Sequence, residues 1–436
     1  MLLTSLVAGP VAIQMDSPLL STSSAIRLGP HYHQKSYIAS LSNGRNNNSQ
    51  KNCELLIYEP ASEKDIDTVY VARDSWGIKR VVFACSRDEF IFSEHAGIWW
   101  QILRISKNTG KLVAQSDGFK LRTLKYFNGN REVDTSGILW SRPPYPLRMF
   151  KAYKRDNAHP PTKMTSVVLN GQHTTGYSVC WNSRAMSFHV HKTNGPFSLC
   201  ASPESRKPSG RWLYMPIAGD EWLSEVWLRS DSFRRCTLVL VTNTKRALVM
   251  GEHSRRGRRF SYELIARLSN EPSLFYLDLS DGLREVAMSV PLSQKAARTE
   301  LYLPKPVSAY PQCLPTEDFF FSAASLEDVS EIKLCRVSEG ISGVVLRYSD
   351  DREVSLGWVH PDHLSSPQRV DSLGMWLFVS EPRDGFPLVT DIKLSLPLAD
   401  SQKYFAIQWR GQLEWWFSLR QCQLYHEGRC TRATQF

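Results

Sequence analysis

At 436 residues, with 42% hydrophobic and 22% charged side chains, the chain has the composition of a folded globular protein and the length for two or three domains, or for one elaborate all-β unit. No apolar run reaches the ~18 residues of a membrane-crossing helix, so neither a membrane span nor a membrane partner is expected. The net charge of +10 admits an acidic partner, but the excess is spread along the chain, and no nucleic-acid-binding motif accompanies it.

Residues 1–50 are rich in Ser and Asn, end in SNGRNNNSQK and hold no sustained hydrophobic period, so disorder is expected there. The opening MLLTSLVAGPVAI has no basic residue before Arg27, which argues against a secretory signal. Order is expected from about Cys53.

Beyond that point short apolar runs alternate with turn residues, the pattern of strands. The clearest are GIKRVVFAC (77–85), TGYSVCW (175–181), MSFHVH (186–191), TLVLVTN (237–243), FSYELIARL (260–268), GVVLRYSD (343–350), MWLFVS (375–380) and YFAIQW (404–409). Thirteen Trp, 19 Phe and 16 Tyr reinforce the reading, because flat side chains suit a pleated, half-buried surface. Helical periods are scarce, and SLEDVSEIKLC (325–335) is the best candidate for one short helix. The expected fold is mainly β, with repeated hairpins forming packed sheets in a sandwich or prism and few short helices.

Proline-rich stretches SRPPYP (141–146), HPPT (159–162) and LPKPVSAYPQCLP (303–315) mark candidate boundaries, giving β units at 53–145, 160–300 and 315–436. Two internal matches suggest a repeated hairpin. Gly77-Ile78-x-x-Val81-Val82-Phe83 parallels Gly340-Ile341-x-x-Val344-Val345-Leu346, each followed by a charged turn. Trp212-Leu213-Tyr214 with Glu225-Val226-x-Leu228 parallels Trp376-Leu377-Phe378 with Asp391-Ile392-x-Leu394.

No nucleophile elbow, phosphate loop, zinc-protease helix or dinucleotide fingerprint occurs, so no catalytic residue, cofactor or metal is assigned and the chain is read as a non-enzyme, with a hydrolase as the least favoured alternative. Cys422, His426 and Cys430 are spaced by four but lack a fourth ligand nearby. His189 and His191 share one side of a strand, as a metal pair would, yet also fit the polar face of an amphipathic strand. The acid pairs Asp88-Glu89, Asp220-Glu221 and Asp350-Asp351 fall at turns, where carboxylates are ordinary turn formers. Nine cysteines without a CxxC, several in apolar runs, suit reduced thiols of an intracellular protein, in cytoplasm or nucleus.

Three groups of residues remain as binding candidates. The stretch WRGQLEWWFSLRQC places Trp409, Leu413, Trp415, Phe417 and Leu419 on one face, expected to be core. The opposite face carries Arg410, Glu414 and Trp416, where a large ring among charges suits recognition of a peptide or a sugar. Trp227 in EWLSEVWL stands in a similar position opposite Trp222, Ser224 and Val226. The block running from Lys245 and Arg246 to Arg255, Arg256, Arg258 and Arg259 is a basic docking patch at a hairpin tip.

As a set, SWGIKRVVF, AGIWWQIL, SDGFKLRTL, RWLYMPIAGDEWLSEVW, LVLVTNTKRALVMG, GVVLRYSDD, MWLFV and LEWWFSLRQCQLYHEGR resemble a large uncharacterised family of filamentous-fungal proteins, many of which carry an F-box near the N-terminus. The resemblance spans about residues 53–430. It implies a protein-recognition region whose partner is a ubiquitin-ligase adaptor or its client. The sequence departs from the family where an F-box helix with an early Leu-Pro would stand, since residues 1–50 hold none. Glu221 to Val226 followed by Leu238 to Asn243 is similar to the strand order of jacalin-type β-prism lectins, which implies a glycan as an alternative ligand; their GxxxD sugar loop is not evident.

Overall fold

The computed structural model describes residues 11–14, 24–28, 37–43, 54–58, 66–85, 92, 97–105, 110–133, 137–144, 150–154, 162–182, 185–193, 210–231, 236–253, 259–280, 282–289, 300–314, 317–338, 340–381, 385–396 and 404–431. The chain divides into two compact units, an N-terminal one of residues 1–166, 275–278 and 285–292 and a C-terminal one of 167–274, 279–284 and 293–436. Both are built from largely antiparallel sheets, with one parallel pair, β11 (Ile138–Trp140) beside β13 (Thr162–Leu169), in the N-terminal unit. Among the described residues the only helical element is a single 3-10 turn at Pro361–His363.

The N-terminal unit begins with β1 (Val11–Gln14), β2 (Ser24–Leu28), β3 (Ile38–Asn43) and β4 (Glu54–Tyr58), followed by β5 (Thr68–Arg73), β6 (Ile78–Ala84), β7 (Trp99–Arg104), β8 (Gly110–Ser116), β9 (Leu121–Asn128), β10 (Arg131–Glu132), β11 (Ile138–Trp140) and β12 (Phe150–Lys154). The chain leaves this unit along β13 (Thr162–Leu169). Strands β1 to β3 thus precede Cys53 within the segment expected to be disordered, most of which lies outside the described residues. Strand β1 pairs with β8, and β2 lies between β3 and β4. Tyr37, Ile38 and Leu41 are buried, and the last two join Val69, Leu103, Leu112 and Tyr126 in one core. Three well-spaced apolar residues suffice to fix such a segment, whatever the polarity of its flanks.

In the C-terminal unit the first strands are β14 (Thr174–Asn182), β15 (Ala185–Lys192), β16 (Arg211–Pro216), β17 (Leu223–Asp231), β18 (Cys236–Thr242), β19 (Ala247–Val249) and β20 (Phe260–Arg267). Strands β21 (Ser273–Asp278) and β22 (Glu285–Ser289) return the chain to the N-terminal unit's largest sheet. The remainder comprises β23 (Phe320–Ser325), β24 (Val329–Val337), β25 (Gly340–Tyr348), β26 (Glu353–Gly357), β27 (Gln368–Arg369), β28 (Gly374–Ser380), β29 (Leu388–Lys393), β30 (Tyr404–Gln408), β31 (Gln412–Phe417), β32 (Cys422–His426) and β33 (Arg429–Cys430). Its sheets run in the orders β15-β14-β16, β19-β18-β17-β20, β23-β31-β32-β33, β26-β25-β24-β27 and β29-β28-β30. The last three pack around a common core that includes Ile332, Val344, Leu377, Ile392, Leu413, Trp415 and Phe417.

All eight expected strand runs are strands, and the mainly-β sandwich or prism-like architecture stands. Residues 325–335 are not a helix: β23 ends at Ser325, Asp328 turns at φ 62°, and β24 follows with Ile332 and Leu334 alternating into the core. Both glycine-led segments of the first internal match are strands paired antiparallel with the strand before them, β6 with β5 and β25 with β24. The second match does not hold as a hairpin, because β28 pairs with β29 whereas β16 and β17 belong to different sheets.

Candidate functional site

The C-terminal unit holds a cavity of about 470 Å³. Besides Tyr348 at the end of the inner strand β25, four strands contribute to its wall, β16, β19, β23 and β26, and each of these four is the terminal strand of its own sheet. A terminal strand turns alternate backbone groups away from its ladder, so the fate of those groups decides what the cavity can do.

Strand β16 is closed. Ile217 donates to the Thr175 carbonyl opposite it, which by alternation turns Trp212, Tyr214 and Pro216 outward. All three carbonyls are taken: Trp212 accepts from the Val359 N–H at 2.9 Å, Tyr214 from the Ser355 hydroxyl, and Pro216 from Arg246 at 2.6 Å. Strand β26 is tied down as well, since the Glu353 carbonyl accepts from Arg246 at 2.7 Å and the Gly357 N–H donates to Ser322 Oγ at 2.8 Å.

Strands β19 and β23 are open. Met250 donates to Leu238 and Thr242 to the Arg246 carbonyl, so Leu248 faces the ladder and Ala247 and Val249 face away from it. Likewise Leu326 donates to Gly411, which places Phe320, Ser322 and Ala324 in the ladder and turns Phe321 and Ala323 outward. Among the described residues the backbone groups of Ala247, Val249, Phe321 and Ala323 have no hydrogen-bond partner. The small side chains of Ser322-Ala323-Ala324-Ser325 leave that edge unobstructed.

One arginine ties these strands together. Arg246 donates from Nε to Glu221 Oε1 at 2.8 Å and from a terminal nitrogen to Oε2 at 2.5 Å, besides its two backbone contacts. Burial raises the Glu221 pKa, but the Arg246 guanidinium and the Thr242 and Thr244 hydroxyls outweigh it and hold the carboxyl below its ordinary value. Among the described residues every charged side chain that lines the cavity is basic, namely Lys245, Arg246 and Arg352, and no carboxylate lines it. Lys245 sits at φ 68°, is exposed, and has no ion-pair partner among the described residues. Burial pushes the His253 imidazole down to about 4, so this fourth basic residue is neutral at physiological pH. The Ser322 hydroxyl is occupied, donating to the Trp415 carbonyl at 3.3 Å and accepting from Gly357.

The residues expected to form an exposed aromatic platform lie behind this cavity. Trp416 is 2% exposed, so it is core rather than platform. Its ring packs against Phe321 at 4.6 Å, His253 at 5.0 Å and Tyr310 at 5.4 Å, and its indole N–H donates to Ser308 Oγ at 2.8 Å. Glu414, also buried, accepts from the Val307 N–H at 2.6 Å, the Ser308 N–H at 3.0 Å and the Ser308 hydroxyl. The proline-rich stretch expected to be a joint is therefore a strap laid across β31, and Tyr302, Leu303 and Pro304 carry it to the cavity's edge. Arg410 is exposed, paired with Glu427 at 3.1 Å, as are Gln412 and Arg420 of that face. Leu419, expected in the core, is 55% exposed, because Ser418 closes a turn onto Gln421 just after β31 ends.

Trp227 is buried, with its indole N–H on Glu225 at 2.9 Å. Arg259 is exposed, whereas Arg255, Arg256 and Arg258 lie outside the described residues, as do Asp88 and Glu89. Asp350 and Asp351 are exposed at the β25–β26 turn, where Asp351 takes φ 65°. His189 and His191 are not a polar face: His189 contacts Ser187 Oγ at 2.8 Å beside Trp212, and His191 contacts Ser178 Oγ at 2.7 Å. Burial pushes His191 down to about 4. Cys422 and His426 face the core while Cys430, opposite Tyr425, falls on the other side of the sheet, so the three do not converge.

The N-terminal unit has a cavity of its own, about 470 Å³, bordered by Arg73, Asp74, Trp99, Gln101 and Lys163. The Asp74 carboxylate is committed to the Trp76 and Gly77 N–H groups and the Tyr37 hydroxyl. Neighbouring hairpin tips expose Trp76 and Phe119. Among the described residues no helix is long and apolar enough to cross a membrane. The chain matches no protein-family model and no curated protein.

Sequence reasoning missed the open edges. The signals were present as the small-residue run SAAS after three phenylalanines and the KR pair before a three-residue strand. Neither reads as an edge until strand order is known.

Proposed function

We propose that this chain is a non-catalytic protein-recognition module and that the cavity of its C-terminal unit is the recognition surface. The observation that carries the reading is the meeting of two open strand edges, on β19 and β23, in a cavity whose charged lining is wholly basic. The similarity to fungal F-box proteins supports the same class and points to a ubiquitin-ligase adaptor or its client as the partner. Binding suits the cavity better than acid–base chemistry, because the Ser322, Ser355 and Tyr348 hydroxyls are engaged in hydrogen bonds and no carboxylate lines it among the described residues.

The test is site-directed photo-crosslinking in extract of a filamentous fungus, with a benzophenone amino acid in place of Tyr302, which is exposed at the cavity, and in place of Tyr262 as a distant control. Crosslinking of an adaptor subunit or one discrete client from position 302 alone supports the proposal. Equal yields from both positions would overturn it. A glycan reading is favoured by the second cavity, where Trp99 adjoins Gln101 and Lys163, and retention of the chain on a glycan array with loss in Trp99→Ala would support it.

A further inference from the structure

We infer that the occupant of the C-terminal cavity is an extended acidic peptide that adds as a β-strand to the open edges of β19 and β23; this rests on the recognition reading above. A strand edge is satisfied by another backbone in extended form, since only that supplies N–H and C=O groups at matching spacing. Ala247 and Val249 on one edge, and Phe321 and Ala323 on the other, each offer outward groups two residues apart, about 7 Å along a strand. A rigid sugar or a helix cannot match that spacing.

The other two edges do not compete. The outward carbonyls of β16 are already bonded, and Arg246 and Ser322 hold β26. Leu301 and Leu303 of the strap, like Ala247 and Val249, pack against the buried cluster of Trp227, Val239 and Val241, and the strap forms no main-chain ladder to β19 among the described residues. On β23 the Ser325 carbonyl is taken by the Tyr348 hydroxyl at 2.6 Å, so Phe321 and Ala323 on that strand, with Ala247 and Val249 on β19, are the outward groups offered to a guest.

Charge selects the guest's side chains. Lys245 is exposed without an ion-pair partner among the described residues, and Arg352 has only Asp350, at 3.7 Å. Arg246 is already neutralised by Glu221, so an aspartate or glutamate in the peptide finds its open cation in Lys245, with Arg352 beside it. Between them Leu213, Leu248, Phe321, Tyr348 and Val354 provide apolar contact, so the favoured peptide alternates acidic and apolar residues.

The experiment uses the full chain, an array of ten-residue peptides of acidic, neutral and basic composition, and two variants. Ala323→Pro removes an outward N–H while leaving the ladder to β31 intact, as edge strands permit; Lys245→Glu reverses the free charge. The expected result is binding of acidic peptides, weakened about tenfold by Ala323→Pro, the worth of one hydrogen bond, with an unchanged thermal transition. N-methylation of alternate peptide amides should abolish binding in one phase and spare it in the other, a readout that needs no change to the protein. Binding that ignores both backbone changes, or that favours basic peptides, would overturn strand addition while leaving the recognition reading in place. No binding by any peptide would overturn both. Sedimentation showing self-association that Ala323→Pro abolishes would assign the edges to a second copy and overturn the peptide.

Discussion

Replacing Glu414 by alanine should loosen the strap before anything else. The carboxylate is 1% exposed and accepts three hydrogen bonds from Val307 and Ser308, two of them at 2.6 and 3.0 Å. Removing it strands those donors, and a buried unsatisfied group costs about 1–3 kcal/mol. Val307 is 71% exposed, so water can reach part of the strap and the sum should fall near the lower end, about 3 kcal/mol in all. Glu414→Gln keeps one acceptor and should lose about half as much. Urea unfolding followed by tryptophan fluorescence measures the loss, and limited proteolysis should show new cutting between 300 and 314. As a control, Arg410→Ala removes only the exposed pair with Glu427 and should cost less than about 0.5 kcal/mol. If Glu414→Ala unfolds within about 0.5 kcal/mol of wild type and its strap resists protease as before, the strap is held by something other than this carboxylate.

Trp416→Ala should destabilise the C-terminal unit by about 3–5 kcal/mol, as for other buried aromatics, whereas Leu419→Ala should be nearly silent in the same denaturation assay. Arg246→Ala leaves Glu221 buried without its cation and should cost about 3–5 kcal/mol, against under about 0.5 for Lys245→Ala; equal effects would disprove the keystone role of Arg246. The His191 and His253 rings sit at about 4 in the folded chain against about 6.5 unfolded, so the unfolded state takes up protons first as pH falls. Stability should be flat above pH ~6.5 and drop from there towards pH ~4, by up to about 1.4 kcal/mol per pH unit for each ring. A denaturation midpoint that does not move between pH 7 and pH 5 would contradict that burial.

Period-two alternation and turn residues were enough to find the strands, because each run carries its own evidence of which face is wet. Face assignment failed where a second layer intervened. Trp416 and Glu414 sit among polar neighbours in sequence, and only the strap, more than a hundred residues earlier, makes them interior. His189 and His191 misled for the same reason, their alternation with Phe188 and Val190 hiding that Trp212 and Tyr214 cover them. The cavity was illegible because an open edge is a property of strand order. Ala247 and Ala323 acquire their role from what does not lie beside them, and no residue type encodes that.

A strand edge that welcomes a guest is also an invitation to other copies of the same chain, and proteins usually blunt such edges with charge or proline. Here proline stands on β16, which is already sealed, while β23 is bare alanine and serine. Its safeguard is concealment: β19 and β23 lie along the wall of a cavity, where a flat sheet from another molecule finds no approach, and Lys245 on each copy repels its twin. On the proposed reading, a recess shaped for one slender strand is also a poor seat for a stacking sheet.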